Sequence, residues 1–330
     1  MKITVLGAGS WGTTLANLLF GNGHGVTVWE FDANRAKNLQ ERNIKSFKAG
    51  VFLPDEICVT NSLKSLKDSD VVLFVVPSHH MRSTCILLKD NAIDLSGKLV
   101  ISATKGVENK TLLRMSEVIG SVFPEVCSNI AVISGPSHAE EVCRKIPSVV
   151  TSAACDVKIA IKCRNLFMND FFRVYIQTDI IGVEIGAALK NVFAIASGII
   201  DGLKYGDNTK AALVSRGLKE LVMVGIALGG SEQTFYGLSG IGDLMVTCFS
   251  SHSRNRAIGQ AIGEGKSLCD AEKSLCMVAE GVKNAISAYE IGKKIAQELP
   301  IINEVYAVLF KGKNPLNAVS DLMTRNPRSE

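Results

Sequence analysis

Through its first half the chain alternates short apolar runs rich in β-formers with stretches patterned as helices. The β-rich runs fall at residues 2–6, 26–30, 71–76, 99–103, 130–133 and 148–151. Residues 13–20, 33–42, 81–88, 112–122 and 157–168 read as the helices among them. A further β-rich run at 173–177 closes the series. Apolar strands joined by helices predict a doubly wound parallel sheet covered on both faces.

After Thr178 the pattern becomes helix upon helix, at about 180–200, 208–227, 244–247, 255–262, 282–297 and 301–311. Gly, Ser and Asp fill the loops, and no strand-length β-rich run interrupts. The pattern predicts an α/β domain over 1–178 and an all-α domain over 179–330. A length of 330 residues favours two domains over one or three. No repeat, low-complexity segment or long linker divides either half.

Composition narrows the class. With 47% hydrophobic and 21% charged residues the chain can bury a sizeable core, and nothing suggests disorder. A net charge of +4 suits a small anionic substrate and is too weak to argue for nucleic acid. The segment 180–200 is nearly long enough to span a bilayer, with Glu184 and Lys190 as its charges. A Lys near the centre of a membrane helix costs about 2.5–3.5 kcal/mol, so a central helix of a soluble domain is the expectation, with no membrane span. The N-terminal apolar run from Ile3 to Leu6 is too short for a signal peptide, and a cytoplasmic protein is expected. Nine cysteines at irregular spacing, with no CxxC pair, predict neither a disulfide framework nor a zinc site but inert thiols.

The first chemical signal is Gly7-Ala8-Gly9-Ser10-Trp11-Gly12, between the first strand and the first helix. Gly7 suits a tight turn, Gly9 a close approach of backbone to a pyrophosphate, and Gly12 the packing of helix on strand. The helix N-terminus then offers N–H groups and partial positive charge to the phosphates. This is the dinucleotide-binding fingerprint of a Rossmann-type fold, and Trp11 sits where the cofactor would lie. At the end of the second strand, Glu30 stands where an acid accepts hydrogen bonds from the adenosine ribose hydroxyls, which favours NAD. Arg35 is close enough to offset that charge, which leaves NADP open.

Further residues mark a reaction centre. Lys105 follows a strand and precedes Gly106, at the carboxyl end where ligands of such sheets bind. Gly135-Pro136-Ser137-His138-Ala139 is a turn between strand and helix suited to close approach of a ligand. Lys190 lies among small residues in the segment 182–194, a setting that predicts close helix packing and a desolvated amine fit to act as a base. Asp243 follows Ser239-Gly240-Ile241-Gly242 near a helix start, as a helix cap or as an acid. Ser253-Arg254-Asn255-Arg256 opens another helix, and a guanidinium beside helix N–H groups makes a phosphate site. His79 and His80 are adjacent and His24, His138 and His252 isolated, so no metal is expected.

Taken in order, these motifs resemble the bacterial NAD(P)-dependent glycerol-3-phosphate dehydrogenases. Ser102-Ala103-Thr104-Lys105-Gly106, Leu189-Lys190-Asn191-Val192, Gly240-Ile241-Gly242-Asp243-Leu244 and Ala279-Glu280-Gly281 add to the segments above. The resemblance implies interconversion of sn-glycerol 3-phosphate and dihydroxyacetone phosphate with NAD or NADP, and a role in supplying glycerol phosphate for phospholipids. It implies Lys190 as proton acceptor, with Lys105 and Asp243 beside it in catalysis. Substrate contacts carry over to Lys105, Gly135, Ser137, Lys190, Asp243, Ser253, Arg254 and Asn255. Cofactor contacts carry over to Ser10, Trp11, Lys105, Ala139, Arg254, Val278 and Glu280, besides Gly7, Gly9, Gly12 and Glu30 read from the turn and strand. Phe31 departs from the family, many of whose members have a basic residue there, and this agrees with the reading of Glu30. A homodimer is implied by the family and by no feature of the residues themselves.

Two other readings stay open on sequence. A β-hydroxyacid dehydrogenase or ketopantoate reductase of similar architecture would need a carboxylate site and would turn over hydroxy acids. A non-catalytic NAD-binding redox sensor would keep the glycine turn but need not keep Lys105, Lys190 and Asp243 together.

Overall fold

The structure is a computed structural model that describes residues 1–42, 52–275 and 279–326. Its strands are β1 (Lys2–Leu6), β2 (Gly25–Trp29), β3 (Cys58–Thr60), β4 (Val71–Phe74), β5 (Leu99–Ser102), β6 (Ile130–Ser134), β7 (Ser148–Ala153) and β8 (Phe172–Gln177). They form one sheet in the order β3-β2-β1-β4-β5-β6-β7-β8. The order reverses between β1 and β4, the switch point of a doubly wound sheet. Helices α1 (Ser10–Gly21), α2 (Ala33–Gln40), α3 (Met81–Asp90), α4 (Met115–Val122), α5 (Ala139–Val142) and α6 (Val157–Phe167) connect the strands.

Because successive side chains point to opposite faces, each central strand feeds two cores. Ile3, Val5, Val71, Leu73, Leu99 and Ile101 pack on one face with Leu15 and Leu19 of α1 and Phe167 of α6. Leu6, Val72, Phe74 and Val100 pack on the other with Met81 and Leu88 of α3 and Ile119 of α4. Burial on both faces explains why these strands read as unbroken apolar runs.

One pairing departs from the all-parallel expectation. β6 and β7 run antiparallel, with Ile133 opposite Ser152. The segment between them holds a single turn of helix, α5, and an antiparallel neighbour needs no crossover. α6 then makes a full crossover, and β7 and β8 are parallel again. β3 was not foreseen, since three residues carry too little pattern. The helix expected from residue 112 begins at Met115, because Leu112 has φ +59° and extended Arg114 caps the helix.

The second half is helical: α7 (Ile180–Gly202), α8 (Asp207–Ala227), α9 (Glu232–Phe235), α10 (Asp243–Phe249), α11 (Arg254–Gly263), α12 (Leu268–Leu275), α13 (Glu280–Lys294), α14 (Pro300–Phe310) and α15 (Pro315–Met323). A wide turn at Leu238–Gly242 leads into α10. No strand lies among its described residues. Two compact units result: Met1–Glu108 with Leu113–Glu184, and Asn109–Leu112 with Ile185–Glu330. The division falls inside α7, six residues beyond the expected boundary at 178 on the count from 178 to 184.

α7 is the one described helix long and apolar enough to cross a membrane, and 94% of its apolar window is buried inside the protein. Glycines let it meet α11 backbone to backbone. A Cβ at Gly198 would stand 1.9 Å from the Arg256 carbonyl oxygen, and one at Gly259 2.0 Å from that of Ile195. Among the described cysteines none is paired, and burial pushes the thiols of Cys85, Cys163 and Cys248 up to about 12.

Glu220 of α8 is buried and accepts hydrogen bonds from the backbone N–H groups of Ile301 (2.7 Å) and Ile302 (3.1 Å), in the first turn of α14. Burial pushes its carboxyl up to about 7, against the pull of those N–H groups and of Arg325 and Arg216. Between the ordinary value of 4.5 and about 7 the folded chain therefore holds a proton that the unfolded chain has released. Through this group, stability falls as the pH rises across that window and levels off above it, by at most about 1.4 kcal/mol per pH unit. Urea unfolding from pH 4.5 to 8 should show this fall in the parent and not in Glu220→Gln.

Candidate active site

The turn from β1 to α1 has room on one side and none on the other. Gly7 has φ +112°, and a Cβ on it would lie 2.9 Å from the Val75 carbonyl oxygen. A Cβ at Gly12 would lie 1.9 Å from the Gly7 carbonyl oxygen, so helix and turn touch directly. Above Gly9 nothing comes within 4 Å of that position. Gly9 also caps α1 without a side-chain hydrogen bond, so no side chain competes for the first N–H groups. Ser10 begins the helix, and the buried Trp11 Nε1 has no hydrogen-bond partner. An open cradle, a helix N-terminus and an unsatisfied buried donor fit the pyrophosphate half of a dinucleotide.

At the end of β2, Glu30 is buried and paired with Arg35 Nη1 at 3.3 Å. The Arg35 Nη2 donates to the Ala8 carbonyl at 2.7 Å, which ties this strand end to the glycine turn. Arg35 is thus committed to Glu30 and Ala8. Phe31, next along, is 74% exposed and meets Trp29 edge-on at 6.3 Å.

Three of the expected residues converge beyond β5 and β6. Lys105 Nζ donates to the Gly135 carbonyl at 3.2 Å, and the Ser137 hydroxyl donates to the same oxygen at 2.9 Å. Gly135 has φ +146°, and a Cβ there would lie 2.9 Å from the Val150 Cα. No other residue type fits this turn, which holds the Lys105 amine in place. Ala139 opens α5 just after it.

In the second unit, Lys190 is 5% exposed and Asp243 1%. Lys190 Nζ donates to Asp243 Oδ1 at 2.5 Å and to Thr247 Oγ1 at 2.6 Å. The Thr247 hydroxyl in turn donates to the Asp243 carbonyl at 2.6 Å. Thr247 escaped the sequence reading. Its signal is position i+4 from Asp243 on α10, which sets both on one helix face.

Arg254, exposed, begins α11, and Ser253 caps it by accepting from the Arg256 N–H at 3.2 Å. Asn255 faces inward. Its Nδ2 donates to Asn191 Oδ1 at 2.9 Å, and its Oδ1 accepts from the Gly281 N–H at 2.9 Å. The residue after Lys190 is thereby joined to the first turns of α11 and α13. Glu280 is the first residue of α13, partly exposed, and Val278 lies outside the described residues. The expected residues therefore form two groups. Gly7, Gly9, Ser10, Trp11, Gly12, Glu30, Lys105, Gly135, Ser137 and Ala139 belong to the first unit, and Lys190, Asp243, Ser253, Arg254, Asn255 and Glu280 to the second.

Comparison with known proteins bears on both groups. Residues 2–160 match the family model for the N-terminus of NAD-dependent glycerol-3-phosphate dehydrogenase, and residues 179–320 the model for its C-terminus. A glycerol-3-phosphate dehydrogenase (NAD(P)+) of Fusobacterium nucleatum is 47% identical, over 100% of this chain and 98% of that one. One from Thermoanaerobacter is also 47% identical, over 100% and 99%. The crystal structure of a glycerol-3-phosphate dehydrogenase from Coxiella burnetii superposes with a TM-score of 0.92 at 34% identity, over 98% of this chain and 99% of that one.

The Lys190 contacts yield a structural prediction. Thr247→Val keeps the shape but leaves a buried ammonium N–H and the Asp243 carbonyl without this partner. The cost should be about 1–3 kcal/mol, read from urea unfolding of variant and parent.

Proposed function

The chain belongs to the NAD-dependent glycerol-3-phosphate dehydrogenase family, and from that premise we propose which of its residues do the work. The protein is an oxidoreductase that interconverts sn-glycerol 3-phosphate and dihydroxyacetone phosphate with NAD or NADP. The observation that carries the residue assignment is a lysine amine held deep in the helical unit by Asp243 and Thr247.

The nicotinamide would supply a hydride acceptor, or in reverse a hydride donor, for the substrate's C2. Gly7, Gly9, Gly12 and the first turn of α1 would hold the pyrophosphate, Trp11 would pack against the cofactor, and Glu30 would accept hydrogen bonds from the adenosine ribose. Ala139, Val278 and Glu280 contact the cofactor on the strength of the resemblance. Lys190 takes the C2 hydroxyl proton as the carbon is oxidised, and as ammonium it returns that proton to the carbonyl oxygen in reduction. Asp243 and Thr247 fix the direction of its N–H groups. Lys105, steadied on the Gly135 carbonyl beside Ser137, adds a second positive charge for an anionic substrate. Arg254 and the N–H groups at the start of α11 grip the phosphate, remote from the reacting carbon. Ser253 and Asn255 serve this site through the cap and the inward hydrogen bonds that hold the turn.

The enzyme works in the cytoplasm, supplies glycerol phosphate for phospholipids, and is a homodimer; the family resemblance supports all three. Family models matching both halves favour a triose phosphate over the carboxylate substrates of a β-hydroxyacid dehydrogenase or ketopantoate reductase. NADH oxidation with dihydroxyacetone phosphate, set against a panel of keto acids, tests this directly.

Binding energy from the phosphate can be used to position the reacting carbon. Arg254→Ala should lower kcat/KM for dihydroxyacetone phosphate by about 10²-fold or more. Dihydroxyacetone, lacking the phosphate, should be a very poor substrate for the parent and lose far less on the same change. Arg254→Lys should recover only part, because it lacks the planar fork. Equal losses for both substrates would show that Arg254 serves the cofactor or the fold instead.

Cofactor choice should move at Glu30. Glu30→Ser with Phe31→Arg removes a carboxylate that repels a 2′-phosphate, releases Arg35 from its partner, and adds a cation at an exposed position. The ratio of kcat/KM for NADPH to that for NADH should rise by at least about tenfold, the effect of some 1.4 kcal/mol. An unmoved ratio would mean that the ribose is bound elsewhere.

A further inference from the structure

Behind the first turn of α11 lies a charged cluster with no place in the chemistry above. Asp201, in the last turn of α7, presents one carboxylate oxygen to Lys210 Nζ of α8 at 2.5 Å and the other to Arg256 Nε of α11 at 2.6 Å. All three side chains are largely buried, at 17%, 10% and 21% exposure. The Lys210 Nζ also sits 5.4 Å from the centre of the Phe249 ring, at the end of α10. One carboxylate thus ties three helices together, and through Lys210 the cluster reaches a fourth, the end of the helix that carries Asp243.

Arg256 is pinned at every level. Its N–H bonds to the Ser253 cap, its carbonyl lies over Gly198 of α7 at a spacing that admits no Cβ, and its guanidinium is held by Asp201. Arg254 lies two residues away in the same turn. A long arginine on a helix end has many rotamers, and only a fixed turn limits where its guanidinium meets an anion. The cluster also carries two cations against one anion, and that excess lies beside an anion site.

We propose that Asp201, with Lys210 and Arg256, positions the substrate's phosphate: it holds the turn bearing Arg254 without touching the substrate itself. This rests on the assignment of the phosphate to Arg254. Positioning and bare electrostatics make opposite forecasts for Asp201→Asn. Removing the carboxylate raises the local positive charge, which by itself would lower KM for dihydroxyacetone phosphate. Loss of the clamp raises it.

The test is a double-mutant cycle of Asp201→Asn and Arg254→Ala, read as kcat and KM for dihydroxyacetone phosphate, with NADH affinity measured separately by quenching of tryptophan fluorescence. Asp201→Asn should raise KM about tenfold, change kcat less, and leave NADH affinity within about twofold. In the Arg254→Ala background the same change should cost under about threefold, because the two act through one contact. Asp201→Glu, which keeps the charge and shifts it by one methylene, should fall between parent and Asp201→Asn. It replaces Asp201→Asn in the cycle if that variant does not fold. A lowered or unchanged KM overturns the proposal, as do effects of the two changes that simply multiply. If Arg254→Ala itself leaves dihydroxyacetone phosphate turnover intact, the phosphate assignment has failed and the clamp falls with it. If Arg254→Ala is severe and Asp201→Asn neutral, the assignment stands and only the clamp is lost.

Discussion

A lysine ammonium removed from water must find a carboxylate, and the helical unit is arranged so that Lys190 finds one. Taking an unpaired charge into a protein interior costs several kcal/mol, far more than a surface ion pair returns. Lys190 on α7 therefore fixes where α10 must lie, because Asp243 and Thr247 have to reach the same amine. Glu184, near the start of α7, is met in the first unit by Arg114 and by both the N–H and the hydroxyl of Ser116. Burial pushes the Glu184 carboxyl up, while Arg114 and Ser116 pull it down. With Asp201 paired to Lys210 and Arg256, all three charges of an otherwise apolar helix are satisfied inside the fold, which suits a core helix and not a membrane span.

That pairing needs helices closer than ordinary side chains allow. A Cβ at Gly186 would stand 2.6 Å from the Ser239 carbonyl oxygen, at the turn before Asp243, so there is room for none. A Cβ at Gly281 would stand 2.7 Å from the carbonyl oxygen of Asn191, one residue beyond Lys190. Gly198, Gly202, Gly259 and Gly263 bring α7 and α11 together along two further turns. Each glycine in a helix gives up roughly 1 kcal/mol of helix propensity relative to Ala. The loss is offset by placing polar backbone and side chains where Asn191, Asn255 and Gly281 can bond across three helices.

Much of this was legible in the sequence, and what was not has physical causes. The glycine turn stood out as a motif, Lys105 by its place at the carboxyl end of a strand, and Lys190 because a lysine is costly among small buried residues. The small residues around Lys190 announced close packing, which the Gly186 contact bears out. The central strands were legible because burial on both faces makes them apolar without a break, and β8 by its β-rich residues, though one of its faces is exposed. β3 was too short to carry a pattern, and the antiparallel β7 is as apolar as its neighbours, since strand direction leaves no mark on composition. Thr247 was missed because a threonine inside a helix reads as an ordinary filler until its partner across the core is known. Asp201 was missed for a similar reason, since its two cations come from helices far along the chain.

Of the positive groups proposed to meet the substrate, Lys190 and Arg254 live under opposite demands, and the fold meets them differently. A proton-transfer amine must be shielded so that its charge is set by the protein and not by water, and Lys190 is buried accordingly. A phosphate grip must stay open to a strongly hydrated dianion, so Arg254 is exposed and cannot be ordered by burial. Order has to come from behind. The Ser253 cap, the glycine contact at Gly198 and the Asp201 carboxylate all act on Arg256, in the same turn but turned inward. Precision at the exposed end of α11 is thus inherited from the buried side of that turn.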